Sequence, residues 1–317
     1  MEANRGSPPW AVPPPSTINP AVRQFEMQDS QKYSNIAQEK TLKTVLEILP
    51  VEIDAYRSIL VCEISNEGFS YAIKNDDTNT YVGVSVSHFN KNTGADDDYS
   101  INLQNGLQLQ SLLSGNFKKV YIINSFGESV LIPFYLYDSQ ENKNALNLIH
   151  GDLQDNASIL TDVIAQHEIY NSYRVSTPLL SVIKSKFPGA INRHQYTVLL
   201  KQVPAEEDKM LVIFYSKKIV VMLNKNKSTQ FINTFAYTTA EEVLYILLNT
   251  CKQFEAENIP LEISGMIENN SALSKEIFKY FASVSFKKLP AGCNYSEEIT
   301  KHPSHYFSHI FAADSCE

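Results

Sequence analysis

An internal repeat constrains this chain more than any other feature. Residues 56–89 run YRSILVCEISNEGFSYAIKNDDTNTYVGVSVSHF, and residues 209–236 run KMLVIFYSKKIVVMLNKNKSTQFINTFA. Each stretch is an apolar strand, a tight polar turn, a second apolar strand, another polar turn and a third strand, and each leads into an amphipathic helix. Two β-β-β-α units about 150 residues apart predict two lobes of common topology. The turns themselves lack the acidic residue and the glycines that would hold a phosphate.

A chain of 317 residues that is 43% hydrophobic is long enough for two cores. Its net charge of -8 is uneven: residues 1–208 carry 16 basic and 24 acidic side chains, residues 209–290 carry 10 and 7. That balance argues against nucleic acid, whose binding needs a strongly basic footprint. No apolar run reaches the length of a membrane span, and the first 25 residues carry no basic-then-apolar leader, so the expectation is a soluble, cytoplasmic protein with no membrane partner. Cys62, Cys251, Cys293 and Cys316 show neither pairing nor metal-ligand spacing, and Cys62 and Cys251 fall in apolar patterns that predict buried free thiols. Residues 6–20 hold six of the 14 prolines and predict neither helix nor central strand.

Between the repeats, the leucines of 101–115 predict a helix ending at Gly115, and 118–126 and 129–138 predict strands, the second an edge or a bulge because of Pro133. Residues 139–148 predict a helix, 157–165 and 168–175 strands, Pro178–Phe187 a helix, and 194–203 a strand. The PAEED segment marks the boundary between lobes. After the second repeat, Thr239 and Glu242 form a capping-box pattern ahead of a helix carrying Val243, Leu244, Leu247, Leu248 and Cys251. A strand at 260–264, a helix at 271–281 and a strand at 284–289 follow. The resulting division is a Pro-rich lead-in (1–33), lobe I (34–205), lobe II (206–300) and a C-terminal tail (301–317) that packs on a lobe.

This order of elements resembles the actin-like ATPase superfold shared by actin, sugar kinases, heat-shock ATPases and pilus-assembly ATPase-like proteins. More narrowly, LVCEISNEGFSYAI, SVLIPFYLYD, FPGAINRHQYTVLL, LVIFYSKKIVVML, LEISGMIENNSALSKEIFKYF and HPSHYFSHIF resemble a Bacteroidetes family of unknown function assigned to that superfold. The likeness covers roughly residues 34–317. It implies an α/β fold of duplicated actin-like (ribonuclease H-like) lobes, each a mixed five-stranded sheet with flanking helices.

The resemblance also supplies a test of the nucleotide site. Active members end the first strand of each hairpin in Asp-x-Gly, the carboxylate organising the metal's water shell and the glycine admitting phosphate. The matching residues here are Glu63 and Ser65 in the first hairpin and Phe214 and Ser216 in the second. Lys217 and Lys218 can attract phosphate but cannot coordinate Mg²⁺. In the strand-to-helix turn that packs the base, Gly265 is kept and Met266 replaces a second glycine; Gly265 also reads simply as a strand-end turn. Loss of the acid and glycines together predicts no ATP hydrolysis. The reading is a non-catalytic actin-like scaffold that works through protein contacts, with no cofactor and no catalytic or metal residues, and with a homodimer as a compatible assembly. The opposing reading is a divergent nucleotide-binding ATPase or phosphotransferase, whose nucleotide contacts would be Glu63, Ser65, Ser216, Lys217, Lys218 and Gly265.

Other candidate chemistry is sparse. If 302–310 is helical, His302, His305 and His309 share a face at zinc-binding spacing; the competing reading is an aromatic strap in which Tyr306, Phe307, Ile310 and Phe311 pack. His194 reads as structural rather than catalytic, and Asp96–Asp98 as a solvated loop without calcium-loop spacing.

Overall fold

The computed structural model of the chain describes residues 42–90, 99–152, 156–204, 206–311 and 313. The Pro-rich lead-in, the Asp96–Asp98 loop and Cys316 lie outside the described residues. The first repeat forms strands β2 (Ser58–Ser65), β3 (Gly68–Asn75) and β4 (Thr80–Phe89), preceded by β1 (Leu42–Ile48). Helix α1 (Tyr99–Leu109), β5 (Lys119–Asn124), β6 (Ser129–Pro133) and α2 (Asn142–His150) follow. Next come β7 (Ala157–Ile164), β8 (Ile169–Ser176), α3 (Thr177–Lys186), β9 (Ile191–His194) and α4 (Gln195–Gln202). The second repeat forms β10 (Lys209–Phe214), β11 (Lys218–Lys225), β12 (Ser228–Ala236) and α5 (Ala240–Gln253). The chain continues through β13 (Leu261–Gly265), α6 (Ala272–Tyr280), β14 (Val284–Phe286), β15 (Asn294–Tyr295), α7 (Glu297–Thr300) and α8 (Ser308–Phe311).

The repeat is reproduced as topology. One sheet runs β4-β3-β2-β5-β9 and the other β12-β11-β10-β13-β14, each with two antiparallel pairings followed by two parallel ones. The second sheet has the five strands expected. The first has seven, because β1 adds antiparallel to β4 along Leu42–Ile48 and β15 adds parallel to β4 at Thr80 and Tyr81. Strand β1 gives little sequence signal, since four of its seven residues are exposed and only Leu42 is buried. A third sheet, β6-β8-β7, is antiparallel, and Pro133 sits in its edge strand, where no ladder donor is required.

Local chemistry explains the hairpins and helices. Between β11 and β12, Asn226 and Lys227 both take positive φ (56° and 62°), the type I′ geometry that matches strand twist. At the start of α5 the Thr239 hydroxyl accepts the Glu242 amide at 3.2 Å while the Glu242 carboxylate accepts the Thr239 amide at 3.3 Å, which completes the capping box. Each sheet is covered on both faces. Leu103, Leu107, Leu179 and Ile183 of α1 and α3 pack on one face of the first sheet, and Phe307, Ile310 and Phe311 pack on the other. Helices α5 and α6 cover one face of the second sheet, while Tyr196, Leu199 and Leu200 of α4 pack against Leu211, Ile213, Val220 and Met222 on the opposite face.

Helix α4 corrects the expectation of a strand at 194–203. All of Gln195–Leu200 is buried, so no exposed side interrupts the apolar run and its period is lost. The cap is His194, fully buried, whose Nδ1 accepts the Tyr196 amide at 3.1 Å while Nε2–H donates to Phe126 O at 2.8 Å. Two further differences are shorter strands: 129–138 ends as a strand at Pro133 and turns into a 3₁₀ segment, and 284–289 pairs only through Phe286. Cys62 and Cys251 are buried free thiols, as expected, and Cys293 is a half-buried one.

Because both ring nitrogens of His194 are committed in the neutral form, burial holds its pKa down at about 3 from the ordinary 6.5. The unfolded chain therefore binds a proton in this window that the folded chain does not. Stability is complete above pH 6.5 and is lost as pH falls toward 3, at up to about 1.4 kcal/mol per pH unit for this group. Urea titrations at stepped pH should show a shallower acid slope for His194→Asn, which keeps a capping side chain but not the buried imidazole. An unchanged slope would remove His194 from the acid sensitivity.

Candidate functional site

The two leading hairpins point their turns at each other. In the first, Ser65 pairs with Gly68 across a two-residue turn, Asn66–Glu67. In the second, the Tyr215 amide donates to Lys218 O at 2.9 Å, closing a two-residue turn at Ser216–Lys217. Spacing aligned Ser65 with Ser216, but the register aligns Ser65 with Tyr215 and leaves Ser216 inside its turn. The Glu67 carboxylate crosses the gap, accepting the Lys217 amide at 3.2 Å and the Ser216 hydroxyl. On its own side, the Glu67 amide donates to Ser65 Oγ at 3.2 Å. Amide and hydroxyl donors that would face a phosphate are thus engaged by the chain's own oxygens.

Behind the turns lies a buried polar chain. Glu63, on β2 and 4% exposed, accepts the Tyr215 hydroxyl at 2.6 Å and Gln195 Nε2 at 3.3 Å, and its second oxygen lies 3.6 Å from His309 Nε2. Gln195 Nε2 also donates to the Tyr215 hydroxyl, and Gln195 Oε1 accepts Ser125 Oγ at 2.8 Å. Lys218 turns inward: its Nζ donates to Ser125 O at 2.6 Å and Ser125 Oγ at 2.9 Å and stands 4.8 Å from the centre of the Tyr215 ring. Burial pulls the Lys218 ammonium below the ordinary lysine range, opposed by Glu63 and Glu67. Burial, then the Glu63 charge, pushes the Tyr215 phenol well above its ordinary value. Burial lowers His309, with Glu63 opposing.

The structure therefore gathers Glu63, Ser65, Ser216, Lys217 and Lys218 around one point, and adds Tyr215, Gln195, Glu67, Ser125 and His309. Glu63 is engaged by protein donors rather than open to solvated metal. Gly265 ends β13 at φ +92°, and a Cβ there would stand 2.1 Å from Phe214 O, so the residue is required by strand packing and backbone conformation together. Met266 follows, its amide on Phe214 O at 3.1 Å. Beside the joined turns lies an open cleft of about 700 Å³, whose walls include Lys43, Glu67, His88, Tyr99, Lys217 and Lys218.

The three C-terminal histidines do not converge. Residues 302–310 are a 3₁₀ turn (Ser304–Tyr306) and the short α8 rather than one helix, with Pro303 and the buried aromatic side chains setting the path. His305 faces Ile267 O at 2.9 Å, His309 faces Glu63, and His302 packs edge-on toward Phe307. No group of three His, Cys, Asp or Glu side chains placed to hold a metal occurs among the described residues. The strap itself joins both sheets: Ser264 Oγ of β13 donates to His305 O at 3.1 Å and meets Ser308 Oγ at 2.8 Å, and the Tyr81 hydroxyl of β4 donates to Phe311 O. No helix among the described residues is long and apolar enough to cross a membrane.

Residues 51–284 match the family model described as "Protein of unknown function (DUF3822)". No curated protein matches the sequence. Among solved structures, the chain is similar to a Bacteroides thetaiotaomicron protein with actin-like ATPase fold and unknown function, at TM-score 0.64 and 18% identity over 78% of this chain and 97% of that one. It is also similar to a chain of the PilM–PilN type IV pilus biogenesis complex, at TM-score 0.52 and 8% identity over 81% of this chain and 98% of that one. At these identities the likeness is one of fold: an α/β actin-like ATPase type with mixed sheets flanked by helices.

Two substitutions test this geometry. Gly265→Ala should lower unfolding free energy by at least about 2 kcal/mol, whereas Gly127→Ala, at an exposed position with no atom closer than 3.9 Å, should stay within about 0.5 kcal/mol. Tyr215→Phe, which removes a donor from a buried carboxylate, should cost about 1.5–3 kcal/mol by chemical denaturation. A neutral outcome would mean that this hydroxyl does not hold the two hairpins together.

Proposed function

For a chain that belongs to the DUF3822 family, we propose a non-catalytic, protein-binding role: an actin-like scaffold whose nucleotide cleft has been rebuilt as an internal fastening. The two sheets of equal order and polarity support two duplicated lobes, approximately 34–205 and 206–300, with residues beyond 300 serving as a strap. One observation carries the reading. The Glu67 carboxylate sits on the Ser216 and Lys217 donors of the facing turn, so the groups best placed to cradle a phosphate already hold an acid from the same chain. Phosphate entry would have to displace that carboxylate and then face it as a like charge.

Exposed apolar side chains favour protein contact. Tyr135, Leu136, Leu148 and Ile149, on segments adjoining the three-stranded sheet, are 86%, 63%, 88% and 59% exposed. The PilM–PilN complex offers an analogy, a chain of similar fold described in complex with another protein. Self-association into a homodimer is a further compatible assembly.

A second reading is supported by the cleft of about 700 Å³, a volume within the ordinary range for small-molecule sites, and by Lys43 and Lys217 in its wall. It would make the chain a divergent nucleotide binder, ATPase or phosphotransferase. Glu67 is the one carboxylate among the described residues lining that cleft, and it is engaged. Phosphoryl transfer asks for metal-organising acids that this lining does not supply.

Titration calorimetry with Mg-ATP, run beside a phosphate-release assay, separates the readings. The expected result is no saturable heat and release at the buffer rate, both in the native chain and after Glu63→Gln. Micromolar binding with release that disappears in Glu63→Gln would replace the scaffold reading with the enzyme.

A further inference from the structure

Strand β12 closes the second sheet on one side and pairs with β11 alone. It is nine residues long, STQFINTFA, with neither a charge nor a proline. Protein sheets ordinarily protect such an edge with a charge, a proline or a short strand. The other end strands among the described residues follow that rule: β1 holds Lys43 and Glu47, β7 holds Asp162, and β6, β9 and β14 have five residues or fewer. Bonded pairs alternate along an antiparallel ladder, and the Tyr237 amide donates to Lys217 O at 2.9 Å. That phase turns the amides of Ile232, Thr234 and Ala236 away from β11. Accordingly, the Thr234 amide is met by the side-chain oxygen of Asn233 at 2.8 Å.

Helix α5 runs back along this edge. Tyr245, in its second turn, lines one shallow hollow with Ala236 and Tyr237 at the end of β12, and Phe254, just past its last turn, packs its ring 5.5 Å from that of Phe231. One line of the helix surface is uncovered. Glu241, Tyr245, Leu248 and Lys252 follow one another at helical spacing and are all exposed, Tyr245 at 70% and Leu248 at 38%. The line reads acid, apolar, apolar, base, and is complementary to itself. Two copies laid antiparallel about a two-fold axis set Glu241 against Lys252 and Tyr245 against Leu248, each contact made twice. Opposite ends of the helix dipole meet in the same arrangement. An isologous contact requires just such a self-complementary patch, and an uncharged strand edge meets its own copy without repulsion.

We propose that this surface is the interface of a homodimer. Strand β12 lies antiparallel to β12 of a second copy, and the two α5 helices flank the axis with their exposed lines opposed. The second sheets of the two copies continue as one. The inference rests on the protein-binding reading and deepens it by naming one partner, a second copy of this chain. A monomeric chain would end the pairing alone, because the scaffold reading is decided separately by titration with Mg-ATP.

The test is analytical ultracentrifugation of the full chain, raised in steps to about 100 μM, where the mass of one chain should give way to that of two. Tyr245→Asp places a charge at the centre of the contact and should return the chain to a monomer. Leu248→Asp reads the same quantity if the first variant does not melt cooperatively. Glu241→Lys alone and Lys252→Glu alone each set like charges opposite one another and should weaken the dimer about tenfold. Combining the two reversals should restore it, a rescue that only the antiparallel two-fold arrangement provides. A single-chain mass at every concentration overturns the proposal. So does a dimer indifferent to the aspartate variants, or a double reversal that associates no better than either single one.

Discussion

A carboxylate in a protein interior is tolerable only where donors meet it, and Glu63 meets two donors and a nearby histidine from three separate parts of the chain. Tyr215 arrives on the turn of the second hairpin, Gln195 at the first turn of α4, and His309 on the C-terminal strap. Each partner is itself held: Tyr215 by Gln195, Gln195 by Ser125, and Ser125 by Lys218. Moving either sheet as a body would part these groups and leave a buried charge uncompensated. The relation between the sheets is therefore set by a polar chain at their junction as much as by the apolar cores on either side.

The same junction shows how one backbone arrangement can serve opposite ends. Two hairpin turns aimed at each other make a cradle if their amides are free and a fastening if a side chain takes them. Glu67 decides for the fastening, reaching only the residues of the facing turn and leaving an open cleft beside it. Lys218 illustrates the point from the basic side. Its ammonium is directed onto Ser125, so a residue whose type suggests anion capture instead stabilises the interior.

How much of this was legible in the sequence depended on whether the governing interactions are local. The repeated hairpins were readable because strand length, alternation and turn chemistry are properties of a dozen consecutive residues, as at Asn226–Lys227. The capping box at Thr239 and Glu242 was readable for the same reason. Helix α4 was not, since burial on all sides removed the polar face that reveals a helical period. Strand β1 was missed for the opposite cause, too little burial to produce a pattern. Of the candidate site, Glu63, Ser65, Ser216, Lys217 and Lys218 were found by position in the hairpins. Gln195 was hidden in the misread helix, and Tyr215 and Glu67 gave no signal, because each acquires its role from a residue about 150 positions away.

The strap also carries a consequence for how the molecule is made. Tyr81, in the third strand of the first hairpin unit, gives its hydroxyl to Phe311, 230 positions later, and β15 joins the edge of β4 only after the whole second sheet has emerged. During synthesis the first sheet therefore stands for much of its time on the ribosome with Val61, Ala72 and Tyr81 uncovered on one face. Long-range closure of this kind slows folding and prolongs the exposure of sticky intermediates. A nascent chain of this design is a natural client for chaperones until the strap arrives and seals that face.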